Sequence, residues 1–281
     1  MKFVTYFLAG VVSLSATTMF ATPDDDRFQK VAKDYIEGLL ESNPEYATEL
    51  GDHRFDDRLT DYSDDAVAKE LARAKELRQQ LEQFNDLTKL TGPNRVDVRL
   101  LKDNIDNEIF GIEELKEREW NPLLYNQSLA NSLYLLVARD FAPAEKRAAS
   151  VRARMEKIPA VIAQAKANLK NPPQVYTETA IDQTQGAISL IKEGLNETLD
   201  NAPKAKADLA PVQEKAIAAL TDYKTWLQKD LLPRSRTKSP RYLRLGPVQR
   251  IDPPASTTAP SPPRRRAATS ASLLVIPEQP P

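Results

Sequence analysis

Residues 123–137 have the sequence LLYNQSLANSLYLLV, and their apolar side chains fall on several sides of a helix. A helix that is hydrophobic over most of its circumference lies in the interior of a fold. The stretch therefore predicts a central helix, with the helices before and after it in the chain packed around it.

The segments on both sides of this stretch carry apolar residues at steps of three and four, the period of an amphipathic helix. Apolar stripes occur over 28–40, 67–84, 96–115 and 151–165, and the last two helices are predicted over 177–199 and 210–232. No segment shows sustained alternation of apolar and polar residues, so no substantial sheet is expected. The chain is predicted to be all-α, a multi-helix antiparallel bundle or array whose helices are joined by short breaks.

Two of these helices carry specific expectations. Pro159 lies inside an apolar pattern and is predicted to kink or split its helix. The helix over 96–115 is expected to turn one apolar face inward. That face is marked by Val96, Leu100, Leu101, Ile105, Ile109, Ile112 and Leu115.

The first 21 residues indicate a secretory signal peptide. Lys2 precedes an apolar run from Phe3 to Leu14, and small residues lead to Ala21. The apolar run is shorter than the roughly 20 residues that a spanning helix needs. We therefore expect a periplasmic or secreted protein with no membrane span after removal of the signal.

The C-terminal segment differs in composition from the rest. Eleven of the 21 prolines lie from Pro233 onward, and residues 234–281 carry nine basic and two acidic residues, a net charge of 9 − 2 = +7. Such a segment cannot bury enough apolar surface to fold. We therefore predict a helical domain over 24–233 and a disordered tail over 234–281. Because no aromatic residue stands within the arginine run 264–266, we expect a solvated end rather than a nucleic-acid site.

The composition excludes several kinds of chemistry. There is no cysteine, and His53 is the only histidine, so disulfides, a Cys nucleophile and a two-His metal site are impossible within the chain. With 39 basic and 40 acidic residues the net charge is −1, which argues against a protein that coats nucleic acid. We assign no catalytic, cofactor-binding or metal-binding residue, and the oligomeric state stays open.

The polar stretch 52–62 is predicted to be a loop, and its charged residues are one candidate site. They are Asp52, His53, Arg54, Asp57 and Arg58. A lone histidine between acids could serve as a general base. The alternative, which we favour, is a binding or structural loop whose ion pairs pin two helices together.

Aromatic and amide residues before the central helix are a second candidate site. Trp120, Asn121, Tyr125 and Asn126 would suit the wall of a binding groove, whereas core packing is the commoner role of such aromatic residues.

Several motifs resemble a known family. The stretch NPEYATELGDHRFDDRLTDYS over 43–63 resembles the start of the bacterial family catalogued as domain of unknown function 885. The pieces WNPL at 120–123, Asn168-Leu169 before Pro172-Pro173, and LLPRS at 231–235 are also similar to it. The resemblance covers roughly residues 27–235.

The resemblance implies a secreted or periplasmic helical protein of about twice this length. Its C-terminal half would resemble zinc metallopeptidases, in which two histidines of a His-Glu-x-x-His helix bind zinc and the glutamate activates water. This sequence has no such motif, so any zinc belongs to a half that it lacks. A frameshift that replaced that half with the Pro/Arg/Ser/Ala-rich tail is one hypothesis.

Three functional hypotheses follow. The chain is the N-terminal helical part of a metallopeptidase-like protein, inactive alone and forming one wall of a substrate cleft. Alternatively it is a complete extracytoplasmic helical module that binds a peptide or a partner protein. A metal-independent hydrolase that uses an acid pair is the third. The first predicts a contiguous exposed apolar patch, and the second does not.

Overall fold

The computed structural model describes residues 21–195 and 200–237, apart from the side chains of Ala205 and Ala207. Most of the predicted signal peptide and of the predicted tail therefore lies outside the described residues. Within the described ranges the chain is helical, and its only β-type pairing is an isolated bridge between Pro173 and Arg236. The all-α prediction is confirmed. No described helix is both long and apolar enough to cross a membrane.

The first part of the fold consists of α1 (Pro23–Ser42), α2 (Pro44–Leu50), α3 (Asp64–Gln80) and α4 (Gly92–Phe110). Their ends follow local chemistry. Ser63 caps α3 by accepting a hydrogen bond from the Ala66 amide. Gly51 ends α2 with a φ of 90°, a left-handed conformation that favours glycine.

The second part begins with α5 (Pro122–Asn126), which continues through a π-helical turn (Gln127–Asn131) into α6 (Ser132–Val137). It is followed by α7 (Ala144–Asn168), α8 (Gln174–Ser189) and α9 (Pro203–Trp226). A π-helical turn also follows α8, over Leu190–Gly194. The last helix starts seven residues before the predicted position 210, because proline suits a first helical position.

Two hydrophobic clusters hold these helices together. One joins α1, α3 and α4 around residues such as Phe28, Leu81 and Phe84. The other joins α5–α9, and its members include Tyr125, Leu129 and other residues of the 123–137 stretch. That stretch is therefore central to the second cluster, as predicted.

Three expectations need correction. Val96 and Leu100 are 54% and 53% exposed, and Leu115 is 40% exposed, while Val98, absent from the predicted face, is buried. Leu101 and Ile105 are buried as predicted, so α4 buries a narrower stripe than its apolar residues suggested.

Pro159 does not split its helix, since α7 is continuous through it.

The disordered tail was predicted to begin at residue 234, but the next two residues make contacts with the helical domain. Ser235 is buried, and its Oγ lies 2.8 Å from Thr177 Oγ1. The Arg236 amide donates to the Pro172 carbonyl, and the Gln174 amide donates to the Arg236 carbonyl. These bonds tie Ser235 and Arg236 to the start of α8, so the ordered contacts of the helical domain extend past the predicted boundary at 233.

Asp25 links the start of α1 to the start of α4. Its Oδ2 accepts from the Thr22 amide at 2.7 Å, and its Oδ1 accepts from Asn94 Nδ2 at 2.6 Å and the Thr91 amide at 3.0 Å. Burial acts to raise the pKa of Asp25, but the hydrogen bonds, first from the Thr22 backbone and then from Asn94, hold it well below its ordinary value of 3.8.

We expect Asp25→Asn to change the acid stability of the fold. A carboxylate with a depressed folded-state pKa contributes stability above its unfolded pKa of about 3.9, and that stability is lost as the pH falls towards the folded-state value. The stability difference between the parent and Asp25→Asn should therefore shrink as the pH is lowered through this range. Urea unfolding at stepped pH measures it, with the exposed neighbour as control in Asp26→Asn. A difference that stays constant with pH would refute the assignment.

Candidate binding site

A groove lies between α8 and the helical segment that runs from α5 through its π-helical turn into α6. Its volume is about 540 Å³, within the range of about 300–1,000 Å³ found for ligand sites. We call it the carboxamide groove. It is lined by Leu123, Asn126, Gln127, Ala130, Asn131, Tyr134, Gln183, Gly186, Ala187 and Leu190.

The groove exists because small residues stand where two helices face each other. Ala130 lies on one side, and Gly186 and Ala187 lie on the other. A Cβ added at Gly186 would meet no atom within 4 Å. Both adjoining π-helical turns reach the groove, through Gln127 and Leu190. Such turns within helices are frequent at functional sites.

The polar side chains of the groove are uncharged, and all except that of Asn126 lack a hydrogen-bond partner among the described residues. None of the described residues that line it is charged. The side chains of Gln127, Asn131 and Gln183 make no hydrogen bond within the described part of the chain, nor does the hydroxyl of Tyr134, which is 54% exposed. Each carboxamide supplies one acceptor oxygen and two donor hydrogens, so the lining offers both kinds of hydrogen bond.

Asn126 lies deeper and is 3% exposed. Its Nδ2 donates to the Ala180 carbonyl at 2.7 Å and to Thr184 Oγ1 at 3.2 Å. The contact with the Ala180 carbonyl fixes which way the Asn126 amide points. In the flipped amide, Oδ1 would face that carbonyl oxygen, and both atoms are acceptors. Its Oδ1 is buried and has no hydrogen-bond partner among the described residues. An unpaired buried acceptor costs about 1–3 kcal/mol.

A smaller pocket of about 140 Å³ lies on the other side of the same π-helical turn and shares Gln127 and Asn131 with the groove. Four of its polar residues bond to one another in two pairs. Glu45 accepts from Thr60 Oγ1 at 2.6 Å, and the Tyr62 hydroxyl lies 2.7 Å from Ser128 Oγ. The groove is the better candidate for a ligand, since its volume lies within the range of ligand sites and that of the smaller pocket does not.

The predicted loop site is away from the groove. Arg54 pairs with Asp52 at 2.6 Å and with Glu37 of α1 at 2.8 Å, and Arg58 pairs with Glu41 of α1 at 3.4 Å. The hydrogen bond from Arg54 lowers the pKa of Asp52. These contacts link the loop to α1.

Of the two remaining loop residues, His53 packs against the protein, whereas the side chain of Asp57 is exposed. His53 Nδ1 lies 3.0 Å from Asp56 Oδ2, and the His53 ring stacks on Phe141 with centroids 3.6 Å apart. The Asp57 carbonyl accepts from Lys157 Nζ at 2.9 Å. None of the five predicted loop residues lines the carboxamide groove.

Arg154 is the buried charge behind this loop, and sequence reasoning missed it. Its side chain is 0% exposed. The guanidinium donates to the carbonyls of Arg58 at 2.9 Å and Ser132 at 2.7 Å, and to Thr48 Oγ1 at 2.6 Å. Asp56 Oδ1 lies 4.0 Å away. Arg154 thus joins α2, the loop, α6 and α7.

Of the predicted groove wall, only Asn126 lines the groove. Tyr125 is fully buried, and its hydroxyl donates to the Arg118 carbonyl, so it takes the core-packing alternative that was left open beside a groove wall. Trp120 Nε1 donates to the Leu115 carbonyl, and Asn121 caps α5. Gln127, Asn131 and Tyr134 line the groove but were not predicted to do so. Their spacing of i, i+4 and i+7 places them on one face of a helix and could have indicated a shared polar surface.

The residues do not fit the zinc centre that the family resemblance implies. His53, the only histidine, is engaged by Asp56 and Phe141. No group of three or more His, Cys, Asp or Glu side chains in the described ranges could hold a metal ion.

The fold places the chain among all-α, multi-helix proteins. It belongs to the family described as bacterial protein of unknown function (DUF885), which matches residues 44–249. This match starts later and ends later than the resemblance noted over 27–235.

A solved structure from Shewanella oneidensis, that of a proposed lipoprotein of unknown function, is similar to this chain, with a TM-score of 0.66 and 29% identity. The similarity covers 72% of this chain and 37% of that one. This chain therefore matches well under half of its relative's length. The comparison with curated proteins found no match.

Proposed function

We propose that this chain is the helical N-terminal part of a longer extracytoplasmic protein, and that it binds a ligand rather than catalysing a reaction. The observation that carries the proposal is the unequal coverage of the Shewanella oneidensis relative, of which only 37% is matched. That relative's description as a lipoprotein, together with the predicted signal peptide, supports a periplasmic or secreted location.

Exposed apolar residues on α4 support the same proposal. Val96, Leu100 and Phe110 are each more than half exposed. At about 100° per residue they fall within a sector of about 80° on α4 and its end, which they share with the exposed polar residues Asp103 and Asn107. A helical part that packs against the rest of a longer protein keeps apolar surface for that contact.

The sequence supports a role without zinc chemistry, because its single histidine cannot form the two-His helix motif that the resemblance implies. Zinc, if the longer protein uses it, would belong to the region outside this chain. The groove supports a binding role, because its free carboxamides face a ligand-sized space.

A peptide-hydrolysis assay tests the proposal. We expect the purified chain to leave a mixture of unstructured peptides intact, with added zinc and with a chelator alike. Cleavage that requires zinc would overturn the proposal. Cleavage that survives the chelator and is lost when acidic residues are substituted would instead support the metal-independent hydrolase.

A further inference from the structure

We propose that the carboxamide groove binds the main chain of an extended, uncharged peptide segment. The inference rests on the proposed function and names the ligand of the same site. The groove contributes no charged side chain, so it has no partner for a charged ligand group. Its free side-chain amides instead match the N–H and C=O groups of a peptide main chain.

The positions of the amides favour a peptide main chain. Gln127 and Asn131 stand at the two ends of the π-helical turn, and both line the groove. An extended chain presents main-chain N–H and C=O groups along its whole length. A strand laid along the groove therefore offers hydrogen-bonding partners to both carboxamides.

The floor of the groove allows a main chain to approach closely. Ala130, Gly186 and Ala187 leave little side-chain bulk between the helices, and space is open above Gly186. Asn126 also lines the groove, and its buried, unpaired Oδ1 can only accept a hydrogen bond. A donor N–H that enters the floor would satisfy it, whereas a carbonyl or carboxylate would not.

The test uses a blocked tripeptide, acetyl-Ala-Ala-Ala-N-methylamide, which has main-chain amides and no charge. The matched probe is the same tripeptide methylated at every amide nitrogen, so that it lacks N–H donors. N-acetylglucosamine is the sugar probe. Binding to the full chain is followed by calorimetry and by the NMR signals of the side-chain amides of Gln127, Asn131 and Gln183.

We expect the blocked tripeptide to shift these three amide signals and the methylated probe to leave them unchanged. Gly186→Leu should weaken tripeptide binding at least tenfold, because its side chain fills the open space of the groove. Gly111→Leu is the matched control, since a Cβ there also meets open space and Gly111 does not line the groove. It should bind like the parent.

A second variant, Gln127→Ala with Asn131→Ala, keeps the test decisive if Gly186→Leu does not fold, as judged by circular dichroism. Equal binding of both tripeptides, parent-like binding by Gly186→Leu, or binding of N-acetylglucosamine alone would each overturn the peptide assignment. These outcomes are separate from zinc-dependent cleavage, which would overturn the proposed function while leaving the groove measurements intact.

Discussion

Arg154→Met is expected to lower the free energy of unfolding by about 3–5 kcal/mol, the cost of removing one partner from a buried charged pair. The side chain is 0% exposed and lies 4.0 Å from Asp56. Burial lowers the pKa of the Arg154 guanidinium, although nearby Glu45, Asp56 and Asp57 act against this. The methionine side chain is similar in length to that of arginine and has no hydrogen-bond donor. The substitution therefore removes the hydrogen bonds of Arg154 while keeping most of the side-chain volume.

The cost arises at the acceptors that remain. Without the guanidinium, the carbonyls of Arg58 and Ser132 lose their Arg154 donor, and an unsatisfied buried acceptor costs about 1–3 kcal/mol. The matched control is Arg152→Met on the same helix, where an exposed pair with Glu156 is removed; exposed i,i+4 pairs contribute only about 0.3–0.5 kcal/mol. Urea unfolding measures both, and similar losses in the two variants would contradict the role of Arg154.

Phe84→Ala is expected to cost about 3–5 kcal/mol through loss of transfer energy and creation of a cavity. Phe84 is 2% exposed in the cluster of α1, α3 and α4. Its ring meets that of Phe28 edge-on, with centroids 5.7 Å apart. Phe110→Ala is the control, because Phe110 is 52% exposed and surface substitutions usually stay within about 0.5 kcal/mol. A loss at Phe84 no larger than at Phe110 would show that this cluster is not a core.

The helices could be predicted because their ends depend on local chemistry. Ser63 caps α3, Pro44 is the first residue of α2, and Gly51 ends α2. Each of these effects involves only neighbouring residues in the chain. The central stretch 123–137 was also predictable, because its apolar residues surround the helix. The all-α class follows from these local signals together with the absence of alternating segments.

The errors arose where a neighbouring helix decides burial. Val96 and Leu100 have helical spacing, yet α3 and α1 pack against the side of α4 that carries Val98 together with the predicted Leu101 and Ile105. Arg154 stands between the predicted inward residues Val151 and Met155, but nothing local shows that three acceptors from distant segments converge on it. Its burial depends on contacts between residues about 100 positions apart, such as the bond to Arg58.

The groove was only partly predictable. Asn126 was assigned to a groove wall together with Tyr125, but adjacent residues on a helix point in different directions, and only Asn126 reaches the groove. Gln183 and Gly186 come from α8, about 60 residues later, so their meeting with Gln127 depends on the packing of α5 against α8.

The zinc content of the purified chain tests the central claim most directly. The claim is that this part of the protein binds a ligand and does not contain a catalytic zinc centre. Elemental analysis after gel filtration in zinc-containing buffer should find far less than stoichiometric zinc. Stoichiometric zinc that remains bound, in a sample that cleaves peptides and loses this activity on chelation, would contradict the account.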